Sequence, residues 1–525
     1  MSQPPILPSV DADLIAAVQA QLAALQGQLH AVSGELKVVK VERDLLRERV
    51  AAFEHKLFAA RSEARHADQR DLFFNEAELL DKGEVAPGEK ISVPAHNRHK
   101  RGRKPLDPAL EREVIRHELP ASERTCPHDG TPLVEIGVET TEQLDIVPAK
   151  VRVIRHERVK YACPCCDGGM AIAPAPIKLI PRSLLTEKAL AWIITAKYQD
   201  GLPLYRQAAL IGPLGGHFCR NTLAANVVRA GMAVQPVINL MRDHLLDADL
   251  ILGDETELQV LKEPGRAART KSYLWAQMSG TGPPIRLFTY APSRSAKTAL
   301  ALYDGARGAL LTDGYESYAA VARAYNLVHL GCWAHARRAF IEAETAVPKA
   351  SRSPEHLATQ FIAAIGELYA VEAKWRDAEP ARQTVEERWR LRQETSVPIL
   401  ERIKTLLLAN LHAVVPGSLL GRALHYLSGQ WPKLTRYIED GRYPIDNNPC
   451  ENAIRPFVVG RRNWLFSDTV AGAQASANLY SLIETAKANR LEPYRYLCEL
   501  FARLPQAKTV DDIETLLPWK IVLPD

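Results

Sequence analysis

Three carboxylates, far apart in the chain, carry the chemistry that this sequence offers. Asp254 closes the apolar run Ile251-Leu252-Gly253 and Asp313 closes Leu310-Leu311-Thr312, while Glu451 lies in Asp446-Asn447-Asn448-Pro449-Cys450-Glu451, which opens a helix. The two apolar runs read as short buried strands, so both Asp side chains are expected at strand C-termini, where an open α/β sheet places its chemistry. Grouped as one site, such carboxylates are a set that holds hard divalent cations. Each also has a plainer reading. Glu255 and Glu257 compete with Asp254, but on a strand both face the opposite side if Gly253 marks its end. Asp313 can start a turn with Gly314. Asn448 and Glu451 are spaced as a capping box around Pro449, with Arg455 one turn on as a partner, which leaves Asp446 as the fallback ligand.

Around these acids stand candidates to grip phosphate: His335, Arg337, Arg338, Arg455, Arg461 and Arg462, with Trp464 able to stack on an exposed base. The competing reading is a solvated Arg-rich face. Cys332 and His335 space a thiol and an imidazole, but no second metal site is expected there.

Four motifs stand in order: Asp254-Glu255-Thr256, Thr312-Asp313-Gly314-Tyr315, Gly331-Cys332-Trp333-Ala334-His335-Ala336-Arg337-Arg338, and Asn447-Asn448-Pro449-Cys450-Glu451-Asn452-Ala453-Ile454-Arg455-Pro456. In that order they resemble the DDE transposases with a ribonuclease-H-like fold, specifically the insertion-sequence sixty-six family, and the resemblance covers nearly the whole chain. It implies a multidomain α+β protein: a ribonuclease-H-like mixed α/β catalytic core with a helical insertion, preceded by a coiled coil, a zinc-ribbon-like module and a helical DNA-binding segment. It also implies two Mg²⁺ (or Mn²⁺) ions, with Asp254 bridging both, Asp313 holding one and Glu451 the other. The expected activity is cleavage of the element's ends and transfer of the freed 3′ hydroxyl to target DNA. Two rivals differ in outcome: a repressor that binds DNA with a dead site, and a nuclease of the same fold that cuts without joining. Accessory proteins are a further partner class.

The rest of the chain must position those residues. Its 525 residues are enough for three or four domains, and 46% hydrophobic residues allow a real core. Lys+Arg 66 against Asp+Glu 62 leaves +4, so any affinity for a polyanion must come from local clusters. From Ile15 to Leu57 a heptad of apolar residues, broken only at Arg43, predicts a coiled coil over 12–58 and self-association; the alternative is a long helix folded onto the same chain. Residues 65–120 read as a basic linker in which Arg101-Gly102-Arg103-Lys104-Pro105 resembles an AT-hook entering a narrow minor groove, or simply touches phosphates.

A zinc-ribbon-like module is expected over 121–172, with strands at 143–148 and 151–155. Cys163 and Cys166 make one knuckle, and Cys126 begins another in which Asp129 stands where the family has Cys. His128 or Asp129 would complete the set, Cys165 is a substitute, and one structural Zn²⁺ is the implied occupant; a ribbon that folds without metal is the alternative. Residues 184–235 read as three helices, either a helix-turn-helix with Arg220 and Asn221 at the start of its reading helix or a supporting bundle. The core is then expected over 245–340 and 444–488, the helical insertion over 341–443 and a C-terminal helical tail over 489–525. No cationic apolar leader opens the sequence and no apolar run is long enough to span a bilayer, so a cytoplasmic bacterial protein, on the nucleoid when bound to DNA, is expected.

Overall fold

In the computed structural model, residues 12–58, 114, 150–162, 170–347 and 353–524 are described. The DNA-contact candidates Arg101, Arg103 and Lys104 and the zinc candidates Cys126, His128, Cys163 and Cys166 lie outside them, as does the strand expected at 143–148. The architecture is mixed α+β and mostly helical, and the helices and strands among the described residues all fall within one unit, Met1–Ala60 together with Ile154–Asp525. Among the described residues no helix is long and apolar enough to cross a membrane.

The N-terminal helix α1 (Ala12–Phe58) is continuous, and Leu22, Leu25, Leu29, Val32, Leu36, Val39, Leu46 and Val50 of its apolar seam are exposed. Strands β1 (Lys160–Ala162) and β2 (Met170–Ile172) pair antiparallel. Residues 151–155, expected as a strand, are not one: no ladder partner is formed there among the described residues, and an unpaired segment lacks the hydrogen bonds that define a strand.

Four helices follow: α2 (Glu187–Tyr198), α3 (Leu204–Ile211), α4 (Arg220–Ala233) and α5 (Gln235–Leu246). Leu190, Ile194, Leu223, Val227, Val237 and Met241 from three of them enter the same apolar core as the sheet, which is the arrangement of a supporting bundle. The sheet comprises β3 (Leu250–Lys262), β4 (Lys271–Ser279), β5 (Arg286–Ala291), β6 (Ala309–Leu311) and β7 (Val328–Leu330), with α6 (Ala296–Leu302) and α7 (Glu316–Ala324) between the later strands. The strand order is β5-β4-β3-β6-β7, antiparallel among the first three and parallel from β3 onward.

Alternation decides what each face meets. Leu250, Leu252, Leu258 and Val260 of β3 share one core with Leu274 and Ala276. On the opposite face Ile251 packs with Trp275, Tyr303 and Tyr318 under α6 and α7. Gly253 belongs to that second face, and a Cβ there would sit 2.0 Å from the Tyr303 hydroxyl oxygen. Contrary to the expectation that the strand ends at Gly253, β3 runs on to Lys262, because β4 continues to pair with it as far as Gln259↔Lys271.

Helix α8 (Trp333–Thr345) leads into the insertion, which comprises α9 (Leu357–Arg376), α10 (Val385–Leu391), a π-helical turn over Arg392–Ser396, α11 (Val397–Asn410) and α12 (Leu419–Leu434). These helices build a core of their own around Trp333, Phe340, Phe361, Leu368, Ile403 and Leu427. At its centre Arg392, fully buried, donates to both carboxylate oxygens of Glu372 and to the carbonyls of Tyr437, Asp440 and Tyr443.

The chain returns to the sheet through α13 (Asn448–Trp464), β8 (Ser467–Thr469), which pairs with the far end of β3, and α14 (Val470–Ala488). Ser481 and Thr485 of α14 accept the outward N–H groups of Phe288 and Arg286, so the β5 edge is satisfied by a helix instead of a further strand. Helices α15 (Pro493–Arg503) and α16 (Val510–Glu514) close the chain, with Leu516 and Leu517 in the main core.

Removing Arg392 strips the buried donors from Glu372 Oε1 and from the Tyr437 and Tyr443 carbonyls, while Arg388 still holds Glu372 Oε2. We expect Arg392→Ala to lower unfolding stability by about 3–5 kcal/mol in a denaturant titration. Burial raises the Glu372 pKa, but hydrogen bonds and charge from Arg392 and Arg388 outweigh it, and the net shift is downward. The stability this pair contributes is therefore full above the ordinary Glu range and is lost as pH falls through the lowered folded value, so the deficit of Arg392→Ala should shrink in acid.

Candidate active site

The β3–β6 register brings two of the acids together. Leu252 pairs with Leu311 in the parallel ladder, and two residues beyond each stand Asp254 and Asp313 on neighbouring strands. Strand β6 stops at Leu311 while β3 continues, so Asp254 lies in mid-strand, opposite Ala276, and not at a strand terminus. The opening that lets its side chain emerge comes from the shorter neighbour. Asp313 accepts the N–H of Tyr315 at 2.9 Å, and Tyr426 and Gln430 of α12 crowd Gly314 so closely that a Cβ there would lie 2.9 Å from the Tyr426 ring.

Glu451 reaches the same face through α13. The buried Asn447 side chain donates to the Gly253 carbonyl at 2.9 Å, and the Cys450 thiol donates to the Ala276 carbonyl at 3.8 Å. These contacts seat the first turn of α13 on β3 and β4, beside Asp254. The capping box, the plainer reading of Glu451, does not form: Asn448 is already helical, its backbone N–H and side-chain amide donate to Asp446, and Glu451 turns to His335 at 3.5 Å and Arg338 at 3.3 Å. Asp446 also accepts the Tyr369 hydroxyl at 2.8 Å, which commits it to holding the helix start.

The acids competing with Asp254 have partners of their own. Glu255, on the opposite face, accepts the Tyr318 hydroxyl at 2.6 Å and lies 3.7 Å from Arg294, and Glu257 pairs with Lys271 at 2.6 Å. Asp254 accepts only the N–H of Glu255, at 2.8 Å, and has no ion pair among the described residues. Burial first, then the charges of Glu255, Glu451 and Asp313, push its carboxyl up to about 8. Uncompensated negative charge concentrated on one carboxylate is what a divalent cation relieves, so these three residues fit the metal the sequence implied.

The cationic candidates are distributed differently from expectation. His335 and Arg338 are directed at Glu451. Arg461 donates to the Glu257 carbonyl and lies over the Phe457 ring, Arg462 is exposed, and Arg455 is half-buried one turn after Glu451. Trp464 is no free stacking face: its ring packs on Gly460, edges onto Tyr198, and carries the Lys197 ammonium 3.6 Å from its centroid. Arg220 and Asn221 are exposed at the start of α4, and among the described residues no hydrogen bond joins them to the three acids.

Two functional features escaped the sequence. One is Asn447, whose pairing with Gly253 only the fold reveals. The other is the approach of Cys332 and His335 to Glu451, with one ligand atom of each residue within 4.8 Å of the others. The Cys-x-x-His spacing was the available signal, and Glu451 is the third member it lacked.

Family models match most of this chain. One described as "Transposase IS66 family" matches residues 182–475, a zinc-finger binding domain of the same transposase matches 123–167, and its C-terminal element matches 481–519. A model described as "Transposase C of IS166 homeodomain" matches 45–115. Among curated relatives, uncharacterized protein y4jD of Sinorhizobium fredii is 33% identical over 75% of this chain and 78% of its own length. Uncharacterized protein y4qI of the same organism is 34% identical over 80% and 77%, and y4hP is 28% identical over 90% and 88%.

The raised Asp254 carboxyl has a sign that can be tested. Its folded value, about 8, exceeds the unfolded value of about 3.9, so the stability it contributes is full at low pH and is lost as pH rises through 8. Asp254→Asn should therefore melt above wild type in metal-free buffer at pH 8–9, by about 1–3 kcal/mol, with the gap closing toward pH 4. Added Mg²⁺ should stabilise wild type and leave Asp254→Asn unmoved; melting curves with and without chelator check both.

Proposed function

The chain belongs to the Transposase IS66 family, and on that premise we propose that it is a DNA transposase that binds the ends of its element and catalyses metal-dependent strand cleavage and strand transfer. The observation that carries this reading is the Asp254 carboxylate, held without a cationic partner among the described residues and raised by burial first and then by the neighbouring charges of Glu255, Glu451 and Asp313. The strand order, three antiparallel strands followed by two parallel ones with helices on both faces, supports a ribonuclease-H-like core.

On this reading Asp254, Asp313 and Glu451 hold two Mg²⁺ or Mn²⁺ ions. When bound, these neutralise phosphate charge and favour both the attacking and the leaving oxygen. The chain's own groups do the rest. Asn447 fixes Glu451 over β3, the Asp313 turn is closed by Tyr426 and Gln430, and Arg338 holds Glu451 by one oxygen until substrate arrives. A water attacks the phosphodiester at the element's end, and the freed 3′ hydroxyl then attacks target DNA in the same site. Arg455, Arg461 and Arg462 contact phosphates along α13, joined by Arg220 and Asn221, while Arg101, Arg103 and Lys104 add contacts from the linker. The exposed apolar seam of α1 joins protomers as a coiled coil, and a structural Zn²⁺ belongs to the Cys126, His128, Cys163 and Cys166 module.

The test is incubation of the purified chain with a labelled element-end duplex, target DNA and Mg²⁺, comparing wild type with Asp313→Ala. Nicking and joining should fall on the order of 10³-fold with duplex binding unchanged, because the variant loses a metal ligand and no DNA contact. Binding without cutting in both proteins would overturn the reading in favour of a repressor, and cutting without joining in favour of a nuclease.

A further inference from the structure

Beside the three acids, the fold assembles a second cluster of donor groups that shares only Glu451 with them. Cys332 is the residue before α8 and His335 lies in its first turn, so the spacing sends the thiol and imidazole to the same side. Glu451 comes to them from α13, and one ligand atom of each residue lies within 4.8 Å of the others. His335 Nδ1 and Glu451 Oε1 are 3.5 Å apart, close to the separation of two ligands on one tetrahedral ion with bonds of about 2.0–2.1 Å.

Both of those atoms are buried and have no hydrogen-bond partner, although Glu451 offers its second oxygen to Arg338. Two buried acceptor-capable atoms facing each other unsatisfied are a cost that a shared ligand removes. The thiol is prepared as well: the Asn447 N–H points at Cys332 Sγ at 3.2 Å, and the His335 N–H adds a second backbone donor. A bound metal ion deprotonates a coordinating thiol outright.

We propose that Cys332, His335 and Glu451 form a binding site for a borderline-soft divalent metal ion, Zn²⁺ being the best match, distinct from the hard-cation set at Asp254 and Asp313 and from the cysteine module upstream. One sulfur, one imidazole nitrogen and one carboxylate oxygen are a three-ligand zinc set that leaves a fourth position open. Thiolate and imidazole favour Zn²⁺ over Mg²⁺, which prefers oxygen. Binding does not depend on the transposase reading; its consequence does. If Glu451 serves Mg²⁺ in catalysis, Zn²⁺ at this cluster withdraws that carboxylate and acts as an inhibitor.

The test measures metal, not activity. Full-length wild type, His335→Ala and Cys332→Ser are dialysed against ZnCl₂ and their zinc content is compared, the upstream module contributing equally to all three. Wild type should hold one more Zn²⁺ per chain than either variant. Affinity at that site should fall by at least about 100-fold, since even residues behind the ligands are worth 10–100-fold. Loaded with Co²⁺, wild type should show a thiolate charge-transfer absorption that Cys332→Ser lacks in the difference spectrum. His335 is a quarter exposed and decides the matter if the buried Cys332→Ser fails to fold. Equal metal content in wild type and His335→Ala would overturn the proposal, whatever the outcome of any strand-transfer assay.

Discussion

The site depends on one buried hydrogen bond, from the Asn447 side chain to the Gly253 carbonyl, between residues 194 apart in sequence. Gly253 is also where the strand is tightly packed. On its other side the Tyr303 hydroxyl occupies the space a Cβ would need, so the strand and α6 approach more closely than any other residue would allow. Backbone bonds extend the seam, with Trp333 N–H donating to Ile445 and Gly331 N–H to Lys433. The segment returning from the insertion is thereby laced to the β7–α8 junction, and Glu451 meets His335 and Arg338 as a result.

That arrangement gathers negative charge at a cost. Asp254 sits half-buried between Glu451 and Asp313 with a single N–H to help it, while Glu255 and Glu257 on the same strand are both compensated by cations. A fold selected for stability alone would have paired Asp254 too. The uncompensated carboxylate and the orphaned atoms of His335 and Glu451 mark where local stability has been given up, and such places are where binding chemistry is found.

The insertion contributes more than bulk. It has its own apolar core and its own buried ionic centre at Arg392. Yet α12 reaches back to crowd Gly314, and its last turn leads into the segment that ends in Asn447. A rigid insertion therefore fixes both the Asp313 turn and the entry angle of α13. A loosely packed excursion of the same length would fix neither.

Much of this was legible in the residues. The apolar runs before Asp254 and Asp313 lie in β3 and β6, the three helices read over 184–235 are α2, α3 and α4, and the heptad over 15–57 is helical. Local periodicity carries such elements because each is formed by neighbours in sequence. The order of the motifs carried the family for the same reason, since it needs no geometry. What the sequence could not supply is whatever depends on a partner distant in the chain. It suggested a strand ending at Gly253, a capping box at Asn448 and an open stacking face at Trp464. The structure has a strand extended by β4, an Asn447 committed to β3, and a ring covered by Lys197 and Tyr198. The types of the functional groups were thus determined by the sequence; which of them meet, and which are left without a partner, was decided by tertiary packing, because register and burial are properties of two segments at once.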